Sequence, residues 1–475
     1  MSDGFWHRAG QFALLFGVLI ALGTSIVIQS TVVTADEVEA LVGASSGGGG
    51  TDGGWPIDKS IRPELTPLSE LSTAPSGETH VTYAPDVAPP INRSEQATWS
   101  VHLESLEGVC PLDPEKGITT DMWGFRIAGD DEVVCGSPGP VLRGRVGDLV
   151  EITLTNDPSS IHPHNIDFHS VTGQGGGAAD LTVNPGETAT ITVRLLYPGA
   201  FMYHCAYGDV PSHIAHGMYG MFIVDPEEPL PEVEHEWAIM QSEWYVGDVE
   251  EGEAPYDAEA LFDEEPRYVT FNGRTDALVG DNTLAMRVGE RARIFFVNEG
   301  LNLDSNFHPI GSHWDLVYPE GATHQSNRVI RGSQSTLVVA GGGTVVELDA
   351  IVPSTIILVD HALVRTFYKG AIGTIVVEGD ADPEIFSAGA GDESTTESTA
   401  PGAGAEVLIP VGAFDPANAD TAYEPLDLTV EVGTTVRWTN EDAVAHTVTS
   451  GESDGTIAEP DGLFDSGFME EVYSW

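Results

Sequence analysis

LRGRVGDLVEITLTND, residues 142 to 157, reads as a turn, a strand and a stop in that order. Val146 and Gly147 make the turn, and Leu149 to Leu154 alternate apolar with polar, the period of a half-buried strand. Asn156 then breaks the run. The pattern recurs as LAMRVGERARIFFVNE at 284 to 299 and as LTVEVGTTVRWTNED at 428 to 442, so that Gly147, Gly289 and Gly433 fall at nearly equal intervals. An interval of about one domain length gives one domain per repeat. Other alternating runs, among them ATITVRLL, GMFIVD, STLVVA and GTIVVEG, are separated by Gly, Pro and Asn turns, and helical periodicity is scarce. The fold expected is all-β, a series of antiparallel sandwiches. The third copy is cut short, since fewer residues follow Gly433 than separate Gly147 from Cys205.

The 475 residues suffice for about three domains at roughly 150 residues each. Formal net charge is -55, and Lys59, Lys116 and Lys369 are the only lysines. Such a surface repels nucleic acid and anionic lipid, so neither is an expected partner. Hydrophobic residues still make up 41% of the chain, which places the acidity on a folded protein. A saline habitat, where carboxylates are screened, explains it better than a dedicated cation-binding surface. Residues 9 to 35 carry no charge, with Arg8 before them and Asp36, Glu37 and Glu39 after. That is long enough to span a bilayer, and the charge asymmetry places the rest of the chain outside the cytoplasm. An uncleaved anchor is preferred to a signal peptide cleaved after Ala35.

Composition then suggests boundaries: anchor or signal at 1–40, flexible Gly/Ser/Pro-rich linker at 41–78, domains at 79–228 and 229–382, a second linker at 383–406, and a partial domain at 407–475. Three cysteines is an odd number for an exported protein. Cys110 and Cys135 either pair or stay free, and Cys205 is left for a functional role.

That role is visible in YHCAYGDVPSHIAHGMYG, residues 203 to 220. Neighbouring side chains on a strand face opposite ways, so His204 and Cys205 serve two different sites. His164 and His169 of HNIDFH, an odd number apart, divide in the same manner, and Asp167 falls on the His169 side. One side gathers His164 and Cys205 and, from the loop beyond, His213 and Met218. Two imidazoles, a thiolate and a weak thioether form the donor set of a blue-copper centre, whereas structural zinc seldom recruits methionine. His162 and His216 are read as bystanders, although His216 is placed to compete with His213. The other side gathers His169 and His204 beside Asp167, and is one ligand short. His361 of LVDHALVRTF and His308 and His313 of NFHPIGSHW are the candidates to complete it, each an ordinary half-buried histidine if taken alone.

HNIDFH, YPGAFMYHC, VPSHIAHGM, HPIG and VDHALV, in this order over about residues 80 to 380, resemble the copper-containing nitrite reductases. The resemblance implies tandem cupredoxin-like Greek-key β-sandwiches and one type 1 and one type 2 copper per subunit. It makes His164, Cys205, His213 and Met218 the type 1 ligands and His169, His204 and His361 the type 2 ligands. Asp167 and His308 become the proton-handling residues, and Ile310, Val359 and Leu363 the apolar lining of the substrate pocket. It further implies a homotrimer in which the neighbour's second domain supplies the third type 2 histidine. An electron from a small halocyanin- or azurin-like cupredoxin or a cytochrome would enter at type 1, pass through Cys205 and His204, and reduce nitrite to nitric oxide, the denitrification reaction. A histidine acid, ordinarily near 6.5, implies activity rising towards mildly acidic pH. Ser212 stands where many members have Trp and Pro309 where Leu is common, and the loop from Cys205 to His213 is shorter than in well-known members.

GAFDPANA, RWTNEDAVAHTVTS and FDSGFMEE in the third copy resemble a plastocyanin- or halocyanin-like domain, with His446 at the first copper-ligand position. The later Cys, His and Met of that family have no counterparts, so no copper is expected there. Two rival functions remain. A laccase-like multicopper oxidase would need several His-x-His pairs, of which His162-Pro163-His164 is one, and a histidine after the cysteine, where Ala206 stands. A non-catalytic cupredoxin electron carrier would leave Asp167, His169, His308 and His361 without a shared purpose.

Overall fold

The structure, a computed structural model, describes residues 61–387, 405–413, 422–425, 428–429, 436–442, 446, 448–453, 458–465 and 472–474. The repeated turn is built alike in its first two copies. Gly147 has φ +85° and Gly289 +95°, left-handed values that a residue with a Cβ rarely adopts. The acid after each glycine closes the turn: Arg145 N–H donates to Asp148 Oδ2 at 3.0 Å and Arg287 N–H to Glu290 Oε2 at 2.7 Å. The closing asparagine also does more than end a strand. Asn156 Nδ2 donates to the carbonyls of His162 and Val183, and Asn298 Nδ2 to those of Leu303 and Val338, tying each following loop to the sheet. Gly433 lies outside the described residues.

In the first sandwich one sheet runs Ser72–Thr73, Ala97–Asp113, Leu149–Asn156, Thr188–Arg194, with Ile118–Ile127 also paired to Ala97–Asp113. The facing sheet runs Val81–Thr82, Val141–Arg145, Tyr219–Asp225, Gly199–His204, Asp167–Phe168. The second sandwich repeats the plan, with Tyr268–Phe271, His235–Trp244, Arg291–Gly300, Gly343–Asp349, Trp314–Tyr318 and Ile330–Ser333 in one sheet. Leu284–Arg287, Ile372–Glu378, Ser354–Asp360, Ser305–Ile310 and Thr336–Val338 form the other. The all-β reading holds, but the ladders are not purely antiparallel. Leu149–Asn156 pairs in parallel with Ala97–Asp113, Tyr219–Asp225 with Val141–Arg145, and Arg291–Gly300 with His235–Trp244. Strand alternation carries no information on pairing direction, and crossovers between the two sheets return a strand beside one of the same sense.

One run read as a simple strand turns out to be buried on both faces. Phe222 and Val224 of Tyr219–Asp225 enter the core of the first sandwich with Trp99, Val150 and Ile152, while Tyr219, Met221 and Ile223 pack on Met240, Phe295 and Val297 of the second. The continuous apolar run GMFIVD therefore marks a strand lying between two cores. Charged residues share this junction. Arg143, 1% exposed, binds Asp225 through Nε and Nη2 at 2.9 and 2.8 Å and also reaches Glu236, which Arg293 in turn links to Glu347.

The first sandwich also reaches back past residue 79: Ser72–Thr73 pairs with Ala97 and Thr98, and Thr66 N–H donates to Gln96 Oε1. Part of the stretch expected as linker is thus ordered sheet edge. Cys110 and Cys135 are joined as a disulfide across 25 residues, and Cys205 is the free, buried thiol. Further along the chain, Ala405–Ile409, Val436–Asn440 and Val472–Ser474 form one small sheet, and Thr449–Ser453 pairs with Ala458–Asp465. There His446 Nε2 lies 2.7 Å from Asp442 Oδ2. Among the described residues no helix is long and apolar enough to cross a membrane; the uncharged segment 9 to 35 lies outside them.

Candidate functional site

The strand Gly199–His204 delivers the central pair of residues. Its antiparallel ladder places His204 opposite Asp167 on one side and opposite Tyr219 on the other, so Asp167 shares a face with His204. Just past the strand, Cys205 N–H donates to Met218 O at 3.0 Å. The intervening loop forms a short helix, Val210–Ala215, with proline in its first turn, and this helix carries His213 inward. His164 arrives from outside any strand, held by backbone hydrogen bonds in both directions with Val183. The expected separation into two faces is found, although for His164 it comes from a bridge and not from strand alternation.

His164 Nε2 lies 3.0 Å from Glu107 Oε1. A carboxylate only accepts, so Nε2 carries the hydrogen and Nδ1 keeps its lone pair. That Nδ1 is 3.3 Å from His213 Nδ1 and 3.9 Å from Cys205 Sγ, and His213 Nδ1 is 3.3 Å from Sγ. Met218 is fully buried in the same core cluster as Cys205. Burial pushes the Cys205 thiol up to about 11 and both the His164 and His213 imidazoles down to about 4. Neutral imidazoles are the metal-binding form, and a buried thiolate calls for a cation beside it. Asn165 steadies the assembly, its Oδ1 accepting from Ala206 N–H at 2.8 Å and its Nδ2 donating to Thr182 Oγ1 at 3.2 Å. Soft sulfur with two imidazoles suits copper.

Asp167, His169 and His204 make a second group, their donor atoms all within 4.8 Å of one another. His204 Nδ1 donates to Cys205 O at 3.0 Å, leaving its Nε2 unprotonated and 3.2 Å from His169 Nε2. Two ring nitrogens aimed at one point beside a carboxylate again form a metal-binding set. Gly176, at φ +57°, lies against this group: a Cβ there would sit 1.8 Å from Asp167 Oδ1.

His308 and His361 are found together, ring centroids 5.1 Å apart, and neither belongs to the group of Asp167. His361 is exposed just beyond Ser354–Asp360, and His308 Nδ1 donates to Gln334 O. Val359, directly opposite His308 in the ladder, is buried, Ile310 is half-buried opposite Ile357, and Leu363 is 40% exposed at the start of the helix Leu363–Lys369. His313 is exposed and joins neither group. His162 and His216 also stay outside, their rings packed against Trp123 with centroids 4.4 and 4.0 Å from its own. His216 Nδ1 donates to Ser212 O, and its ring is stacked on Trp123, outside the group of His164, Cys205 and His213. Glu107, Trp123, Asn165 and Gly176 were not legible as site residues. A single Glu or Trp in an alternating strand gives no signal of what lies across the sheet.

A multicopper oxidase family model, Cu-oxidase_2, matches residues 112–228. The copper-containing nitrite reductase of Neisseria meningitidis serogroup B is 42% identical over 320 residues, spanning 66% of this chain and 78% of that one. The copper-containing nitrite reductase of Cereibacter sphaeroides is 34% identical over 268 residues, spanning 52% and 71%. Among solved structures, the copper nitrite reductase of Nitrosomonas europaea superposes with a TM-score of 0.52 at 36% identity, covering 60% of this chain and 96% of that one. With paired donor groups meeting at His204 and Cys205, and with likeness of this extent in sequence and fold, the chain belongs to the copper-containing nitrite reductases.

Proposed function

We propose that this protein reduces nitrite to nitric oxide and water, taking up one electron and two protons per nitrite, with copper as its cofactor. The observation that carries the reading is the back-to-back placement of the two donor groups on consecutive residues, Cys205 and His204. His164, Cys205, His213 and Met218 would hold the type 1 copper, and His169, His204 and His361 the type 2 copper. Bound copper supplies a one-electron couple and an open Lewis-acidic position for a nitrite oxygen. The peptide unit between Cys205 and His204 would give the electron a covalent route. Asp167 would orient nitrite by a hydrogen bond and hand over one proton. His308 would supply the second, since its Nδ1–H is committed to Gln334 O and Nε2 is the nitrogen free to exchange. Ile310, Val359 and Leu363 would narrow the approach with apolar surface.

The separation of His361 from the Asp167 group supports a ring-shaped homotrimer, in which the neighbouring subunit's second domain completes each site. The uncharged segment 9 to 35 supports an exported, membrane-anchored protein fed by a small cupredoxin or cytochrome, and the acidic surface supports a saline habitat. The last part of the chain would form a third, cupredoxin-like domain. Complementation tests the shared site. His204→Ala and His361→Ala subunits should each be inactive alone, whereas trimers reassembled from both should recover nitrite turnover at the mixed interfaces. Absence of recovery in confirmed mixed trimers would contradict a site shared between subunits.

A further inference from the structure

We propose that Glu107 is a positioning residue that orients His164 and sets the reduction potential of the type 1 copper. The inference rests on reading His164, Cys205 and His213 as the type 1 group. Glu107 lies on the strand Ala97–Asp113, opposite Trp123 in the ladder and with its side chain 10% exposed. Four nitrogens converge on its Oε1: His164 Nε2 at 3.0 Å, the backbone N–H groups of His162 and Ile161 at 2.8 and 3.1 Å, and His162 Nδ1 at 3.3 Å. An oxygen surrounded by donors is kept as a carboxylate. It fixes the ring of His164 with Nδ1 towards Cys205 and His213, which is the tautomer a metal at that point requires.

The charge has a second effect. Trp123 packs its ring near His162, His164, His213 and His216, which shuts water away from this side of the group. A negative charge hydrogen-bonded to a ligand in such a setting makes the imidazole a stronger donor and favours the more positive, oxidised metal. The neighbouring His162, 44% exposed, cannot replace it, because its own hydrogen bond ends on the same oxygen.

Glu107→Gln separates the two effects, since the amide oxygen still accepts these hydrogen bonds while the charge is gone. In copper-loaded protein the visible type 1 band should persist, and redox titration of that band should show the equilibrium shifted at least about tenfold towards the reduced form, or ~59 mV for one electron. Glu107→Ala should in addition weaken type 1 copper binding by about 10- to 100-fold. An unchanged potential in the Gln variant would overturn the proposal. Reduced wild-type protein labelled with 15N-histidine offers an independent check that needs no variant. It should show a far-downfield, slowly exchanging Nε2–H for His164, and a proton on Nδ1 instead would equally overturn it. Wild-type protein lacking any type 1 band would instead defeat the type 1 reading, and the role of Glu107 with it.

Discussion

Gly176 illustrates how narrowly the second donor group is built. Its left-handed backbone is one that glycine adopts without strain, and a Cβ would lie 1.8 Å from Asp167 Oδ1 and 2.9 Å from Phe168 N. Since Phe168 N is backbone, the carboxylate is the part that must move. Gly176→Ala should therefore lower nitrite turnover by about 10- to 100-fold, approaching the loss from removing the Asp167 acid itself. Both coppers should remain, because His169 and His204 are not displaced. Turnover equal to wild type with full copper content would show that the position of Asp167 is not critical. At this scale the two donor groups, His164, Cys205 and His213 and then Asp167, His169 and His204, were legible because few residue types bind metal. The residues that orient them were not, since Glu107 and Asn165 act through geometry that has no composition of its own.

For Asp167 and His204 strand alternation foretold a shared face, and their register delivers it in three dimensions, whereas His164 is placed by a bridge to Val183. Alternation did not foretell the parallel pairs, nor that Tyr219–Asp225 lies between two cores. An element that sequence would misjudge is Arg291–Gly300, where Glu299 is 2% exposed and neither carboxyl oxygen has a hydrogen-bond partner among the described residues. Burial pushes its carboxyl well above the ordinary value of 4.5, so it stays protonated in the fold and ionises when the chain unfolds. From about 4.5 up to its raised value in the fold, the folded state then binds more protons than the unfolded one, and this group costs stability as pH rises through that window. Glu299→Gln should gain over wild type by up to ~1.4 kcal/mol per pH unit in that range, with little difference near pH 4. Denaturant midpoints measured across pH check it, and a gap independent of pH would show that the carboxyl is not buried uncharged.

Over the whole molecule, 74 acidic residues face 19 lysines and arginines, and the arginines at the junction of the two sandwiches are already committed to Asp225, Glu236 and Glu347. The remaining surface is strongly like-charged, and bringing copies together against that repulsion requires screening. Sedimentation should show the trimer in concentrated KCl and monomers after dilution into low salt. An assembly indifferent to salt would remove the support for a saline habitat. The likeness of the two described sandwiches was legible from the repeated turn and strand, because both make the same chain reversal, at Gly147 and at Gly289. That the two sandwiches share a buried face was not legible, since nothing in a strand's pattern names the partner of its outer side.

The central claim is tested most directly under anaerobic conditions, with copper-loaded protein in concentrated KCl, a reduced artificial donor, and nitric oxide followed at an electrode as nitrite is added. The account predicts prompt nitric oxide from the wild type and none above background from His361→Ala that still shows its type 1 band. No nitric oxide from wild-type protein shown to hold both coppers would contradict it.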